Sequence, residues 1–309
     1  MIRKKRLAVT AVLVLTGIMV YLFLFGKLFA YSPVIIGFEK HELTHSIIYS
    51  QKGVTFDDYE KIDTLIPRVE KFHELAFRRK PEILLFSDSI SYLRRSLSRA
   101  RFCAFYNGRI FASPWALKEA QNGKISLEIY ITHELSHSLL HQHSGLINAA
   151  GYPKWLMEGI AVYCADQMGT SVYPGREETY RMMKSGNFMP PTVFKTKNED
   201  NIKLDVENRI SFMYSEFACI VDYLVEKYGK EKLLVYMKNL TKGNDHDTIF
   251  RQIYGTDFER MLVDFRQYVL LNAESETTDI NKQPLQQRIK KMQVRYKYKN
   301  LPVLKSEFQ

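Results

Sequence analysis

The chain of 309 residues is long enough for one large domain or two medium ones with a real core. Its 46% hydrophobic and 25% charged residues exclude wholesale disorder, and three cysteines without close spacing (Cys103, Cys164, Cys219) indicate neither a disulfide scaffold nor a thiolate zinc site. The formal charge of +10 sits at the ends, +5 in residues 1–30 and +7 in residues 282–309, so the body carries about −2 and offers no basic face for nucleic acid.

The amino terminus opens with Arg3, Lys4, Lys5 and Arg6, then nineteen residues without a charge from Leu7 to Phe25, closed by Gly26 and Lys27. That run is just long enough for one transmembrane helix, and the preceding cations hold its amino end in the cytoplasm. The expectation is a signal anchor over residues 1–30 with the rest of the chain outside the cytoplasm. The alternative is secretion after cleavage behind Ala30, where Leu28 is large for a cleavage motif.

Short strands follow at Ser46–Tyr49 and Ile83–Phe86, with a hairpin of Arg101–Tyr106 and Arg109–Ser113 around Asn107-Gly108. Between the first two strands, Phe56, Tyr59, Ile62, Ile66, Val69 and Phe72 step by three and four, predicting an amphipathic helix capped by Thr55 and kinked or broken at Pro67. From Ile125 the periodicity turns helical. Trp155–Met168, Ser211–Tyr228, Lys232–Leu240, Thr248–Tyr254 and Phe258–Leu271 are the main segments, punctuated by Gly229, Gly243 and Gly255. Strands first and helices later make an α+β domain over residues 31–272, mainly α/β to 124 and mainly helical from 125. Residues 273–309 read as a basic tail, with Lys290–Lys299 as a possible alternating strand.

His133-Glu134-Leu135-Ser136-His137 is an H-E-x-x-H segment. On a helix its two histidines lie one turn apart on one face and can reach one ion, with Glu134 beside them as a base for a water. Leu127, Ile131, Leu135 and Leu139 form an apolar stripe on nearly the opposite side, which would pack on a core and leave the polar face to a cleft. His41-Glu42-Leu43-Thr44-His45 repeats the pattern but runs into strand-like sequence, where residues four apart do not share a turn. In a third run, His73-Glu74, Phe77 replaces the second histidine, so His73 reads as helix surface.

A catalytic zinc takes three protein ligands and an open position. His143 has the metzincin offset, yet Leu140 stands where that geometry needs glycine. Glu158, in Trp155-Leu156-Met157-Glu158-Gly159-Ile160-Ala161 after a loop over 144–152, is a carboxylate in an apolar helix that needs a charge partner, and it is preferred.

H-E-x-x-H with the glutamate of W-L-x-E-G-x-A twenty-one residues beyond resembles the gluzincin zinc metallopeptidases, and more narrowly the peptidase-MA-like domains related to thermolysin-like and aminopeptidase catalytic domains. The resemblance, over about residues 100–270, implies a thermolysin-like zincin fold with a small sheet whose edge strand lines the cleft, and then a helical lobe. It implies Zn2+ held by His133, His137 and Glu158, Glu134 as general base, and a peptide or protein substrate. In aminopeptidase relatives a tyrosine some fifty to sixty residues past the glutamate ligand steadies the oxyanion; Tyr214 stands at the similar place. His246, in a loop between acids, is the other candidate donor. No G-x-M-E-N-type segment is present to grip a free amino terminus, which favours endopeptidase over aminopeptidase. The reading from another class is a non-catalytic exported binding protein that keeps the fold.

Overall fold

The computed structural model describes residues 2–282 except 171, with the side chains of residues 2–5, 8 and 274–282 left out. Helix α1 (Ile2–Leu24) precedes strands β1 (Phe38–Glu42) and β2 (Ile47–Gln51). Helices α2 (Tyr59–Asp63) and α3 (Leu65–His73), strand β3 (Glu82–Leu85) and helix α4 (Ser89–Arg95) come next. The hairpin β4 (Phe102–Ala104) and β5 (Ile110–Ala112) leads into α5 (Pro114–Gln121) and α6 (Leu127–Gly151). The helical lobe is α7 (Lys154–Cys164), α8 (Arg176–Lys184), α9 (Arg209–Tyr228), α10 (Lys230–Thr241), α11 (His246–Tyr254) and α12 (Phe258–Lys282).

The sheet runs β1-β2-β3-β5-β4, with β2, β3 and β5 parallel and the two outer strands antiparallel. Strand alternation gives each face its own core. Ile83, Leu85, Ile110 and Ala112 meet Ile131, Leu135 and Leu139 of α6, together with Ile62, Ile66 and Val69. Leu84, Phe86 and Phe111 point the other way onto Phe29, Tyr92 and Phe105. The apolar stripe expected on the motif helix is thus the seam between sheet and α6. A separate core fills the helical lobe around Trp155, Phe212, Phe217 and Phe265.

The α+β order holds, with several shifts. The predicted helix of residues 56–72 is two, capped by Asp58 rather than Thr55 and broken at Thr64 rather than Pro67. Proline lies in the first turn of α3, where its missing N–H would have had no helical partner. Strand β1, which carries His41, had no predicted counterpart, nor had α4, α5 and α8. The expected loop over 144–152 is mostly helix, with the turn concentrated at Gly145, whose φ of 65° and ψ of 177° only glycine readily adopts. Helix α12 runs on to Lys282, beyond the expected start of the tail. The rest of that tail, with the proposed strand at Lys290–Lys299, lies outside the described residues.

Among the described residues no helix is long and apolar enough to cross a membrane. Apolar side chains of α1, Val12, Leu13, Val14 and Leu15 among them, are exposed. The chain after it is not loosely tethered. Lys27 Nζ donates to the carbonyls of Leu93 and Ser96, Phe29 and Ala30 are fully buried, and the Ala30 carbonyl accepts from Asn107 and Arg109.

Candidate metal centre and active-site cleft

Helix α6 presents His133 and His137 one turn apart, as their spacing requires, and α7 brings Glu158 across to them. Helix α7 can come this close to α9 because residue 159 is glycine: a Cβ there would lie 2.7 Å from the Phe217 carbonyl oxygen. All three polar side chains are buried, and their ligand atoms lie within 4.8 Å of one another.

The pairwise distances test whether a metal fits. His133 Nε2 is 3.0 Å from His137 Nε2, and Glu158 Oε2 lies 3.5 Å from the first and 3.3 Å from the second. Three ligands of a tetrahedral zinc, each at about 2.0–2.1 Å, form a triangle with edges of about 3.3 Å. The donor set matches that triangle. His133 Nδ1–H donates to Gln167 Oε1 at 2.9 Å, which leaves the Nε2 lone pair directed at the shared point. His137 Nδ1 is buried without a hydrogen-bond partner among the described residues.

The charges agree with a site built for a cation. Burial pushes the Glu158 pKa up, but His137, His133 and Lys195 outweigh it and hold the carboxyl well below its usual range. Burial lowers the His133 pKa, and the Glu158 and Glu134 carboxylates reverse this to a net rise. The buried Glu158 carboxylate thus stays ionised and draws positive charge to the site.

The ligand set forms the floor of a cleft of about 480 Å3, walled by residues 100–104 of the sheet edge, by Tyr130 and Glu134, and by Tyr173, Lys195 and Tyr214 of the helical lobe. Strand β4 is one of the two edge strands and lines this cleft, as the resemblance implied. The Tyr214 ring lies parallel to His133, with centroids 6.3 Å apart. Burial, and next the Glu158 carboxylate, push the Tyr214 phenol well above its usual pKa, so its hydroxyl keeps its proton.

The other candidates separate from this centre. His143 turns outward, its Nε2–H donating to the Ala76 carbonyl at 2.8 Å. His41 sits in β1 opposite Ile48, while His45 lies beyond the strand with its backbone N–H on Asp63, so the first H-E-x-x-H is not helical. His246 is absent from the cleft wall and opens α11 among Trp155, Tyr236, Phe250 and Phe258, an aromatic setting rather than a solvated turn. His73 is not a surface residue. It is fully buried where α3 meets α6 and α10, 2.9 Å from Ser136 Oγ and 3.2 Å from Met237 Sδ. Gln167 and Lys195 are the site residues that sequence reasoning missed. Lys195 Nζ lies 2.6 Å from Glu158 Oε1.

Residues 126–271 match the profile of the Peptidase MA superfamily. The matched segment includes the ligand cluster of His133, His137 and Glu158. A solved structure that matches in part is a mutant of the M1 zinc metallopeptidase from Deinococcus radiodurans, at a TM-score of 0.43 and 13% identity over 74% of this chain and 50% of that one. The chain thus spans half the length of that relative. No curated protein matches the chain.

Proposed function

We propose that the protein is a zinc-dependent endopeptidase of the Peptidase MA kind, anchored in a membrane by its amino-terminal segment, residues 1–30, with its cleft outside the cytoplasm. The observation that carries the reading is the buried triangle of His133, His137 and Glu158 at the floor of an open cleft, with Glu134 beside it. Zinc bound there would polarise the scissile carbonyl and make a water acidic enough to attack near neutral pH. Glu134 takes the proton of the attacking water and passes it to the leaving amine. Tyr214, protonated and facing the cleft, donates a hydrogen bond to the oxygen that gains charge. Strand β4 offers its free edge to an extended peptide, whose main chain can add to the sheet.

Endopeptidase is favoured because Glu134 and Glu158 are the only acidic residues among the described cleft-lining ones. Both have other duties in this scheme, which leaves no carboxylate to hold a free α-ammonium group. The anchor is supported by the cations before an uncharged run that would rise about 28 Å as a helix. Exposed aliphatic side chains along α1 support it too. On this reading residues 31–272 are the catalytic domain and residues 1–30 its anchor.

The kinetic test pairs two conservative variants. Glu134→Gln should keep zinc and lose turnover by about 10²–10⁴-fold. Tyr214→Phe should lower kcat by about 10²-fold, with KM and zinc content little changed. A Gln variant that still turns over would remove Glu134 as the base, and a Phe variant with full kcat would remove Tyr214.

A further inference from the structure

We propose that Lys195 is a positioning residue for the metal centre: it occupies one oxygen of Glu158, so that only the other faces the two histidines. This rests on the zinc reading above.

The pairing is direct and unequal. Lys195 Nζ sits 2.6 Å from Glu158 Oε1, while Oε2 of the same carboxylate is the atom 3.3 and 3.5 Å from the histidine nitrogens. A carboxylate free to rotate could present either oxygen, or both, to an ion. With Oε1 held by a charge-assisted hydrogen bond, one ligand atom is selected and its direction is fixed.

The lysine is itself held by a braced loop. Residue 195 has φ of 56°, a left-handed conformation that a lysine adopts only against a steric cost. Its N–H donates to Glu199 Oε2 at 2.6 Å, and Arg209 bonds the carbonyls of Glu199 and Ile202. The preceding residue, Phe194, is buried against Phe217 and Tyr214, with ring centroids 4.8 and 6.1 Å away.

Two effects of opposite sign compete when Lys195 is removed. An ammonium near a dication repels it, so its loss could tighten binding. The Lys195 side chain is 46% exposed, however, and solvent screens that repulsion. Loss of the outer partner of a ligating group typically costs about 10–100-fold in metal affinity. The second effect should win.

The experiment titrates the full chain, purified in detergent, with zinc alone against a competing chelator. Lys195→Met should raise the zinc dissociation constant about 10–100-fold, and Lys195→Arg, which can still bond Oε1, should recover most of that loss. The cobalt(II) forms give a second readout: the Met variant, with both Glu158 oxygens free to bind, should show the weaker visible bands of a higher coordination number. A Met variant that binds zinc as tightly as wild type, or more tightly, overturns the role of Lys195 and leaves the zinc reading intact. A wild-type chain that holds no zinc overturns both.

Discussion

Buried without a charge partner, His73 has its pKa pushed down to about 3, first by desolvation and then by the positive charge of Lys230. The unfolded chain binds that proton near pH 6.5 and the folded chain does not, so stability is full above pH 6.5 and falls as pH drops toward 3. Between pH 7 and 4.5 the loss should be about 2–3 kcal/mol. Denaturant unfolding of His73→Gln beside wild type at the two pH values measures it: the variant should lose that much less, and parallel losses would show that His73 already carries its proton in the fold. His73 was misread because its neighbours in sequence, Lys71 and Glu74, are polar, while the residues that bury it, Ser136 and Met237, lie 63 and 164 positions away. The two histidines and the glutamate of the site were legible, because helical spacing and an apolar context are local signals. Gln167 and Lys195 were not. They meet His133 and Glu158 from 34 and 37 positions away, and nothing in their flanking residues marks a partner.

The contact of α7 with α9 brings Glu158 and Tyr214 onto neighbouring helices. Gly159 permits it, with the Phe217 backbone where a side chain would be. Gly159→Ala should force the helices apart, cost about 1–3 kcal/mol, and weaken zinc retention by moving Glu158. Thermal unfolding with metal analysis of the same sample checks this; an unchanged Tm would mean that the helices yield without loss. The existence of the long periodic elements could be read from the sequence, and their ends less well. The break at Thr64 shows why: proline marks a helix start as readily as a helix end. Short α4, α5 and α8 escaped because few apolar steps fall within them, whereas α11, also nine residues, shows Ile249, Phe250, Ile253 and Tyr254 in step. Strand β1, with exposed Glu39 and Lys40, lacks the apolar alternation of a buried strand.

Across the whole molecule, a sheet with a core on each face stands against a helical lobe, and the cleft opens where the sheet edge meets that lobe. Residues 27–32 tie α1 to the sheet side. Phe29 packs beside Phe38 and Phe111 beneath the Arg95 guanidinium. A protein cut behind Ala30 would lose that ring, at a cost of about 3–5 kcal/mol by analogy with truncating a buried phenylalanine. A chain beginning at residue 31 should therefore melt well below one beginning at residue 26. In cells, the mature amino terminus should lie near Met1, with protease added from outside reaching the catalytic domain. A mature terminus at Tyr31 would contradict the anchor and favour secretion.

The central claim is that α6 and α7 together hold one zinc ion through His133, His137 and Glu158. Elemental analysis of the purified full chain tests it most directly, with Glu158→Ala and His143→Ala measured beside wild type. Wild type should hold about one zinc per chain, the His143 variant should keep that content, and the Glu158 variant should lose most of the metal. A Glu158 variant that keeps its zinc while the His143 variant loses it would place the metal on His143 instead of Glu158.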